Sequence, residues 1–182
     1  VLYRNDFSSN TADGIRTIEE TAGGKVSYDG DGVLVLDASA STSAYARVLL
    51  PEYLDGFGDI KITAKLKIDA AKNTKRWASV MLRVQTANNY PYMQICLRSS
   101  ASLANGTEIA ERTTANKWNV TQKAASSINS SEYNTLTADV SGSEIVYLIN
   151  GKTQLTESAV TYVTGACGFQ ANGCRLTVDE VT

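Results

Sequence analysis

The sequence is poor in the residues that most often carry catalysis or a covalent framework. It contains no histidine, which removes the commonest general base, Ser–His and Cys–His nucleophile pairs, and histidine-based zinc sites. Its three cysteines leave at least one thiol unpaired in a monomer, which disfavours a disulfide framework. We therefore expect neither redox nor nucleophilic chemistry, and no cofactor is required.

Positive charge and long apolar segments are also scarce. The formal net charge is −2 and Lys and Arg form no run, so nucleic acid is not an expected partner. The longest apolar stretches, such as Val33 to Leu36, are far shorter than the roughly 20 residues of a membrane span, so no membrane insertion is expected. The chain starts at Val1 without a signal-peptide pattern, and we interpret it as a processed piece of a larger protein.

Helical periodicity is nearly absent, and short apolar runs separated by Gly, Asn, Ser and Thr predict strands joined by turns. The clearest alternation follows Gly58 and predicts a half-buried strand. Its core face carries Ile60, Ile62, Ala64, Leu66 and Ile68, and its solvent face carries Lys61, Thr63, Lys65 and Lys67.

A hairpin is predicted from two strands, Trp77 to Gln85 and Tyr90 to Arg98, joined by the loop Thr86 to Asn89. The core residues would be Ala78, Val80, Leu82 and Val84 on the first strand and Met93, Ile95 and Leu97 on the second. The antiparallel register then places Arg83 opposite Tyr92, Met81 opposite Gln94, Ser79 opposite Cys96, and Trp77 opposite Arg98. All eight of these residues are expected to face away from the core.

Further strands are predicted across the rest of the chain. They are two strands within Val33 to Leu50, a pair within Thr107 to Gln122, and single strands at Tyr133 to Val140, Glu144 to Asn150, Gly165 to Ala171 and Cys174 to Val181. Ser141-Gly142, Asn150-Gly151 and Asn172-Gly173 supply turns, and the last of these predicts a closing hairpin. Its register would hold Cys167 too far from Cys174 for a disulfide. Hairpins without crossover helices predict an all-β, antiparallel two-sheet β-sandwich or jelly roll, in one domain spanning 1–182.

Several short segments carry a family resemblance. They are Asp6-Phe7, Phe57-Gly58-Asp59, Leu82-Arg83, Tyr90 through Gln94, Tyr133 through Leu136, Ile149 through Lys152, Gly165 through Phe169, and Val178 through Val181. In this order the sequence resembles the concanavalin A-like lectin and glucanase superfamily, in particular family 66 carbohydrate-binding modules and 3-keto-disaccharide hydrolase-like domains. The resemblance implies a concanavalin A-like jelly roll. It leaves function open among lectins, laminin-G-like adhesion modules, carbohydrate-binding modules and hydrolases.

The acidic residues do not form the pattern that a glycosidase needs. Such enzymes hold two carboxyl groups roughly 5 to 9.5 Å apart, and the glucanases of this superfamily carry them in a Glu-x-Asp-x-x-Glu run that is absent here. Glu108 and Glu111 are three residues apart and point to opposite faces of a strand. Glu19-Glu20 and Asp29-Gly30-Asp31 are interpreted as solvated turns and caps. We therefore expect a protein that is not an enzyme.

The outward face of the Trp77 to Arg98 hairpin is the predicted ligand site. Aromatic rings stack on the C–H face of a sugar, and Arg and Gln side chains pair with vicinal hydroxyls. The candidate ligand-binding residues are Arg83, Tyr92, Gln94, Trp77 and Arg98, bordered by Tyr90 and Trp118, with Tyr45 and Arg47 as weaker candidates. The alternatives are that the rings pack against loops, that Arg83 makes a surface ion pair and that Trp118 belongs to the core.

The resemblance also implies a possible structural Ca²⁺ where the first and last strands meet, with Asp6 and Asp179 as metal ligands. The alternative for both is a turn or capping role. The leading hypothesis is a non-catalytic carbohydrate-binding module, attached to a catalytic or anchoring domain of a secreted or cell-surface bacterial protein, that binds a polysaccharide or oligosaccharide on its concave sheet. Its rivals are a glycoside hydrolase-like enzyme of the same fold and a laminin-G-like protein-adhesion domain.

Overall fold

The computed structural model describes residues 1–9, 13–30, 32–85, 91–115 and 117–182. Within these ranges the strands are β1 (Arg16–Thr21), β2 (Lys25–Tyr28), β3 (Leu34–Asp37), β4 (Tyr45–Leu49), β5 (Ile60–Ala71), β6 (Trp77–Val84), β7 (Tyr92–Arg98), β8 (Thr107–Arg112), β9 (Trp118–Ala124), β10 (Asn134–Ser141), β11 (Glu144–Ile149), β12 (Lys152–Glu157), β13 (Ala166–Asn172) and β14 (Cys174–Val181). A 3₁₀ turn covers Glu52–Leu54. No helix among the described residues is long and apolar enough to span a membrane.

The strands form two antiparallel sheets that pack face to face. Sheet I has the order β1-β4-β13-β6-β7-β8-β9, and sheet II has the order β12-β11-β10-β5-β14-β3-β2. Apolar side chains from both sheets fill the space between them, among them Val80 and Ile95 from sheet I and Leu66, Leu136 and Leu176 from sheet II. The predicted all-β, two-sheet sandwich is confirmed.

Strand β5 has the predicted alternation. Its apolar residues from Ile62 to Ile68 are buried in the core, whereas its lysines lie on the outer face of sheet II. There Lys61 pairs with Asp139 at 3.0 Å and Lys65 pairs with Asp179 at 2.8 Å. This outer face is a charged, solvated surface.

The β6–β7 hairpin has the predicted register at three positions. Trp77 lies opposite Arg98, Ser79 opposite Cys96, and Met81 opposite Gln94. The connecting residues 86–90 lie outside the described residues, and with them the candidate Tyr90. Three of the four predicted outward pairs are therefore confirmed.

The fourth pair, Arg83 opposite Tyr92, is wrong because a β-bulge interrupts β6. Met81 pairs with Gly168 and Val84 with Ala166, so Leu82 and Arg83 together occupy the space opposite one residue of β13. Arg83 has a φ of 51°. The extra residue reverses the alternation, so that Val84, predicted in the core, packs with Tyr92 on the outer face.

The predicted β13–β14 hairpin is also wrong. Strand β13 pairs with β4 and β6 in sheet I, whereas β14 pairs with β3 and β5 in sheet II. The Asn172-Gly173 turn, with Gly173 at a φ of 60°, instead carries the chain from one sheet to the other. Cys96, Cys167 and Cys174 are free and buried, and burial raises the pKa of Cys167 to about 11 and that of Cys174 to about 12. These thiols stay protonated at neutral pH.

Candidate functional site

The candidate site is the outer face of sheet I, which is the surface of that sheet turned away from sheet II. Alternation along the strands sends polar and aromatic side chains to this face, where they stand in register with one another. The face carries Glu19 from β1, Tyr45 and Arg47 from β4, Gln170 and Asn172 from β13, Trp77, Ser79 and Met81 from β6, Tyr92, Gln94 and Arg98 from β7, Glu108 and Arg112 from β8, and Trp118 from β9.

Three aromatic rings cover the middle of this face. Trp118, on the edge strand β9, lies edge-on to Trp77 with 5.3 Å between the ring centroids and edge-on to Tyr92 at 5.9 Å. Trp77 and Tyr92 are 8% and 0% exposed, whereas Trp118 is 38% exposed. Trp118 thus borders the predicted surface and is not a core residue, and its ring is the most exposed of the three.

A cleft of about 160 Å³ opens beside Trp118. Its lining residues are Trp77, Gln94, Arg98, Glu108, Ala110, Trp118 and Val120. Four of the predicted ligand-binding residues, Trp77, Gln94, Arg98 and Trp118, therefore lie together around one cavity. Val120, which is 42% exposed, extends the apolar rim beside Trp118.

Two ion pairs hold charged side chains on this face. Arg98 donates to Glu108 Oε1 at 2.8 Å, and Asn105 donates to the same oxygen at 2.8 Å. Arg47, on β4 opposite Gln170, pairs with Glu19 and also donates to Gln170 Oε1. Arg98 and Arg47 are thus fixed by partners within the protein. These hydrogen bonds hold each planar guanidinium group in one orientation.

Tyr92 is fixed through its hydroxyl group. The hydroxyl donates to Gln170 Oε1 at 2.6 Å, and the guanidinium carbons of Arg47 and Arg112 lie 6.0 and 5.9 Å from the ring centroid. Burial raises the pKa of Tyr92 above its usual value, so the hydroxyl remains protonated and acts as a donor. Gln170 Oε1 therefore accepts from both Tyr92 and Arg47.

Three neutral polar atoms on this face are buried and have no hydrogen-bond partner among the described residues. They are Ser79 Oγ, Gln94 Oε1 and Gln170 Nε2, on side chains that are 0%, 2% and 0% exposed. Buried polar groups in folded proteins are almost always paired, so three such atoms on one face require an explanation.

Arg83 does not reach this face. The bulge turns its side chain toward the loops at the end of the sandwich, where Nε and Nη2 donate to Gly58 O at 3.1 and 2.8 Å and Nη1 donates to Tyr162 O at 2.5 Å. The residue is 1% exposed. The predicted position of Arg83 beside Tyr92 is wrong, and Arg83 holds two loops together.

The possible calcium ligands already have other partners. Asp6 accepts hydrogen bonds from the backbone N–H and hydroxyl of Ser8 at 3.1 and 2.7 Å, as in the predicted turn alternative, and Asp179 pairs with Lys65. Within the described ranges, no group of three or more His, Cys, Asp or Glu side chains is arranged to hold a metal ion. Asp6 and Asp179 are thus engaged by Ser8 and Lys65 and are not part of a metal-binding group of this kind.

The two carboxylates placed on this face are far apart. Glu19 on β1 and Glu108 on β8 are separated by five inter-strand spacings of about 4.8 Å, or about 24 Å. A glycosidase holds its two carboxyl groups roughly 5 to 9.5 Å apart. Glu111 points to the opposite side of β8 and accepts from the hydroxyl of Tyr162 at 3.2 Å. Glu19 and Glu108 therefore cannot act on one glycosidic bond.

Sequence reasoning missed Gln170, Glu108 and Arg112 as members of this face. Gln170 alternates with the core residues Phe169 and Ala171, so the period-2 pattern already sends its side chain outward. The signal was obscured because β13 was predicted to pair with β14, which would have placed Gln170 away from the β6–β7 hairpin.

No protein-family model and no curated protein sequence matches the chain. Solved structures do resemble it. Carbohydrate-binding module CBM66 from Bacillus subtilis has a TM-score of 0.72 at 10% identity, with 93% of this chain and 96% of that chain covered. A β-glucanase from Bacillus licheniformis has a TM-score of 0.66 at 13% identity, with 98% and 95% covered. A protein of unknown function with a galectin-like fold from Bacillus subtilis has a TM-score of 0.67 at 15% identity, with 99% and 93% covered.

Proposed function

We propose that this concanavalin A-like sandwich is a non-catalytic carbohydrate-binding module that holds a polysaccharide or oligosaccharide on the outer face of sheet I. Two of the structural neighbours are a carbohydrate-binding module and a β-glucanase, which supports carbohydrate as the ligand class. We further propose that the module belongs to a larger secreted or cell-surface protein.

The observation that carries the proposal is an exposed aromatic ring that shares one cleft with polar and charged side chains. Trp118 offers an apolar ring surface for the C–H side of a sugar. Gln94, Arg98 and Glu108 line the same cleft and supply polar side chains beside that ring. Sugars combine an apolar ring face with a rim of hydroxyl groups, and this cleft matches both features.

The separation of Glu19 and Glu108 supports binding without hydrolysis. The nearer carboxylate, Glu108, is already engaged by Arg98 and Asn105. We expect no reducing-sugar release from a panel of plant, fungal and bacterial polysaccharides. Release above a blank, abolished by a single carboxylate substitution, would instead identify an enzyme.

Replacing Trp118 by Ala is expected to weaken glycan binding by about 10- to 100-fold, because the ring is the exposed anchor at the mouth of the cleft. The ligand would first be found on an array of neutral and acidic glycans, and its affinity then measured by calorimetry. The melting temperature should also fall, because the ring of Trp118 packs edge-on against Trp77 and Tyr92, so affinity is measured well below the unfolding transition of the variant.

Tyr133→Ala is the matched control. Tyr133 is also 38% exposed, but it lies on the outer face of sheet II, between the ammonium groups of Lys65 and Lys67. Its removal should leave affinity unchanged. Equal affinities for the Trp118→Ala, Tyr133→Ala and parent proteins would place the ligand elsewhere and contradict the proposal.

A further inference from the structure

A second cavity, of about 530 Å³, lies at the start of β1, on the opposite edge of sheet I from β9 and Trp118. Its lining includes two tyrosines, two acidic residues and one arginine, which are Tyr3, Tyr53, Asp13, Glu52 and Arg16. The volume falls within the range of roughly 300 to 1,000 Å³ that is typical of small-ligand sites. We call this space the β1 cavity.

One wall of the β1 cavity is a tight turn that carries Asp13. Asp13 and Gly14 both have positive φ angles, 40° and 80°. Gly14 packs closely on Pro51, since an added Cβ atom would lie 3.1 Å from the proline ring. The turn therefore holds Asp13 beside the segment that begins at Pro51.

Arg16 fixes that segment to β1. Its guanidinium group donates to Leu50 O at 2.8 Å and pairs with both carboxylate oxygens of Asp55 at 2.6 and 3.0 Å. Glu52 and Tyr53 lie between these two anchor residues in the sequence. Because Asp55 matches the charge of Arg16, the arginine does not neutralise the acidic residues that line the cavity.

Asp13 and Glu52 carry that unmatched negative charge. Both are exposed, and neither side chain forms an ion pair or a hydrogen bond with another described residue. Burial raises the pKa of Tyr3 and of Tyr28, and the negative charge of Asp13 raises both further. The electrostatic influence of Asp13 therefore reaches the tyrosine that lines the cavity.

The tyrosines supply aromatic surface beside these carboxylates. Tyr53 is 61% exposed, compared with 38% for Trp118, and its hydroxyl donates to Leu2 O at 3.3 Å. Tyr3 is half-buried, and its hydroxyl accepts from Asn5 Nδ2 at 3.0 Å. Both hydroxyl groups are thus engaged, so the cavity offers a ligand mainly aromatic carbon and carboxylate oxygen.

This combination suits an organic cation. An aromatic ring attracts an ammonium group through its π face, and a nearby carboxylate adds an opposite charge. Among the described residues, Asp13 and Glu52 do not belong to a group of three or more side chains that could hold a metal ion. We propose that the β1 cavity binds an organic ammonium group, carried by an amino sugar or by a free amine. This site goes beyond the proposed function, because it is separate from the cleft beside Trp118.

The test is an NMR titration of the ¹⁵N-labelled protein with choline and with its uncharged carbon analogue, in which a tert-butyl group replaces the trimethylammonium group. We expect choline to cause saturable shifts of the backbone signals of Gly14, Glu52 and Tyr53, and the uncharged analogue to cause much smaller ones. Added salt should weaken choline binding, because it screens charges at an exposed site.

Three variants remove the groups to which we assign binding. Asp13→Asn and Glu52→Gln each remove one charge at nearly constant shape, and Asn adopts the positive φ of this turn readily. Each of them, and Tyr53→Ala, should weaken choline binding by about two- to fivefold. Glu144→Gln is the matched control, because it removes an exposed carboxylate on β11 outside the cavity and should leave choline binding unchanged.

A second pair of probes, the tetramers of glucosamine and of N-acetylglucosamine, distinguishes the two sources of the ammonium group. Tighter binding of the glucosamine tetramer than of choline, lost on acetylation, assigns an amino sugar. Binding no tighter than that of choline assigns a free amine.

Three results would contradict the proposal: equal shifts with choline and its uncharged analogue, undiminished choline binding in the double variant Asp13→Asn/Glu52→Gln, or no shift at the cavity with any of the cations. Failure here does not affect the proposed function, whose reporters, the indole signals of Trp77 and Trp118, lie in the other cleft.

Discussion

Arg83→Ala is expected to lower the melting temperature by roughly 6 to 12 °C, because it destabilises the fold by on the order of 3 kcal/mol. The substitution removes three hydrogen bonds from a guanidinium that is 1% exposed. It leaves the partly buried carbonyl groups of Gly58 and Tyr162 without this donor, and a hydrogen bond from a charged group contributes about 1.5 to 3 kcal/mol. Thermal unfolding followed by circular dichroism measures the effect.

Arg175→Ala is the control for this substitution. Arg175 is also an arginine on a strand, but its side chain is 40% exposed and its contacts with Asp37 and Asp69 are 3.8 and 3.7 Å long. Its removal should change stability by no more than about 0.5 kcal/mol. If Arg83→Ala melts like the parent and instead loses glycan affinity, the arginine is a ligand anchor, as the sequence alone predicted.

Gly168→Ala is expected to destabilise the protein by on the order of 4 kcal/mol or to prevent folding. Gly168 lies in β13 at the centre of sheet I, opposite both Leu49 and Met81. A Cβ atom there would lie 1.9 Å from Val48 O and 2.8 Å from Leu49 Cα, and both are backbone atoms. The methyl group therefore fits only if β4 and β13 move apart, which breaks the ladder that carries Arg47 and Gln170.

Gly56→Ala tests whether the effect arises from that contact or from loss of a glycine in general. No atom lies within 4 Å of the Cβ position at Gly56. We expect a stability change within about 0.5 kcal/mol. If the two variants denature at the same urea concentration, β4 and β13 do not approach as closely as the structure indicates.

Much of the fold could be predicted because one face of most strands is buried. The alternation in β5 and the register of the β6–β7 hairpin follow directly from period-2 patterns, and together they place Trp77, Gln94 and Arg98 on one surface. The Asn150-Gly151 turn is likewise confirmed, with both residues at positive φ, 50° and 77°.

The errors have two physical sources. A β-bulge adds one residue and reverses the alternation beyond it, and nothing in the run from Met81 to Val84 marks where that residue is inserted. An Asn-Gly turn has the same backbone requirement whether it joins two paired strands or carries the chain between sheets, so Asn172-Gly173 did not reveal the partner of β13.

Edge strands were also missed. β1, β2 and β12 lie at sheet edges. β1 and β12 are dominated by polar residues with little alternation, and β2 alternates over only four residues, too few to be recognised as a strand. The unpartnered atoms of Ser79, Gln94 and Gln170 could not be predicted for a related reason. Outward direction can be read from periodicity, but whether an outward atom lacks a partner depends on contacts across four strands.

The most direct test of the binding face proposed on sheet I is an NMR titration of the ¹⁵N-labelled protein with an oligosaccharide derived from the array ligand. The chain has two tryptophans, Trp77 and Trp118, and each contributes one indole N–H signal from this face. We expect both signals to shift and saturate together, with backbone shifts confined to β6, β7, β8, β9 and β13. Saturable shifts around Tyr133 on sheet II or around Phe57 in the loops, with both indole signals unmoved, would contradict the account.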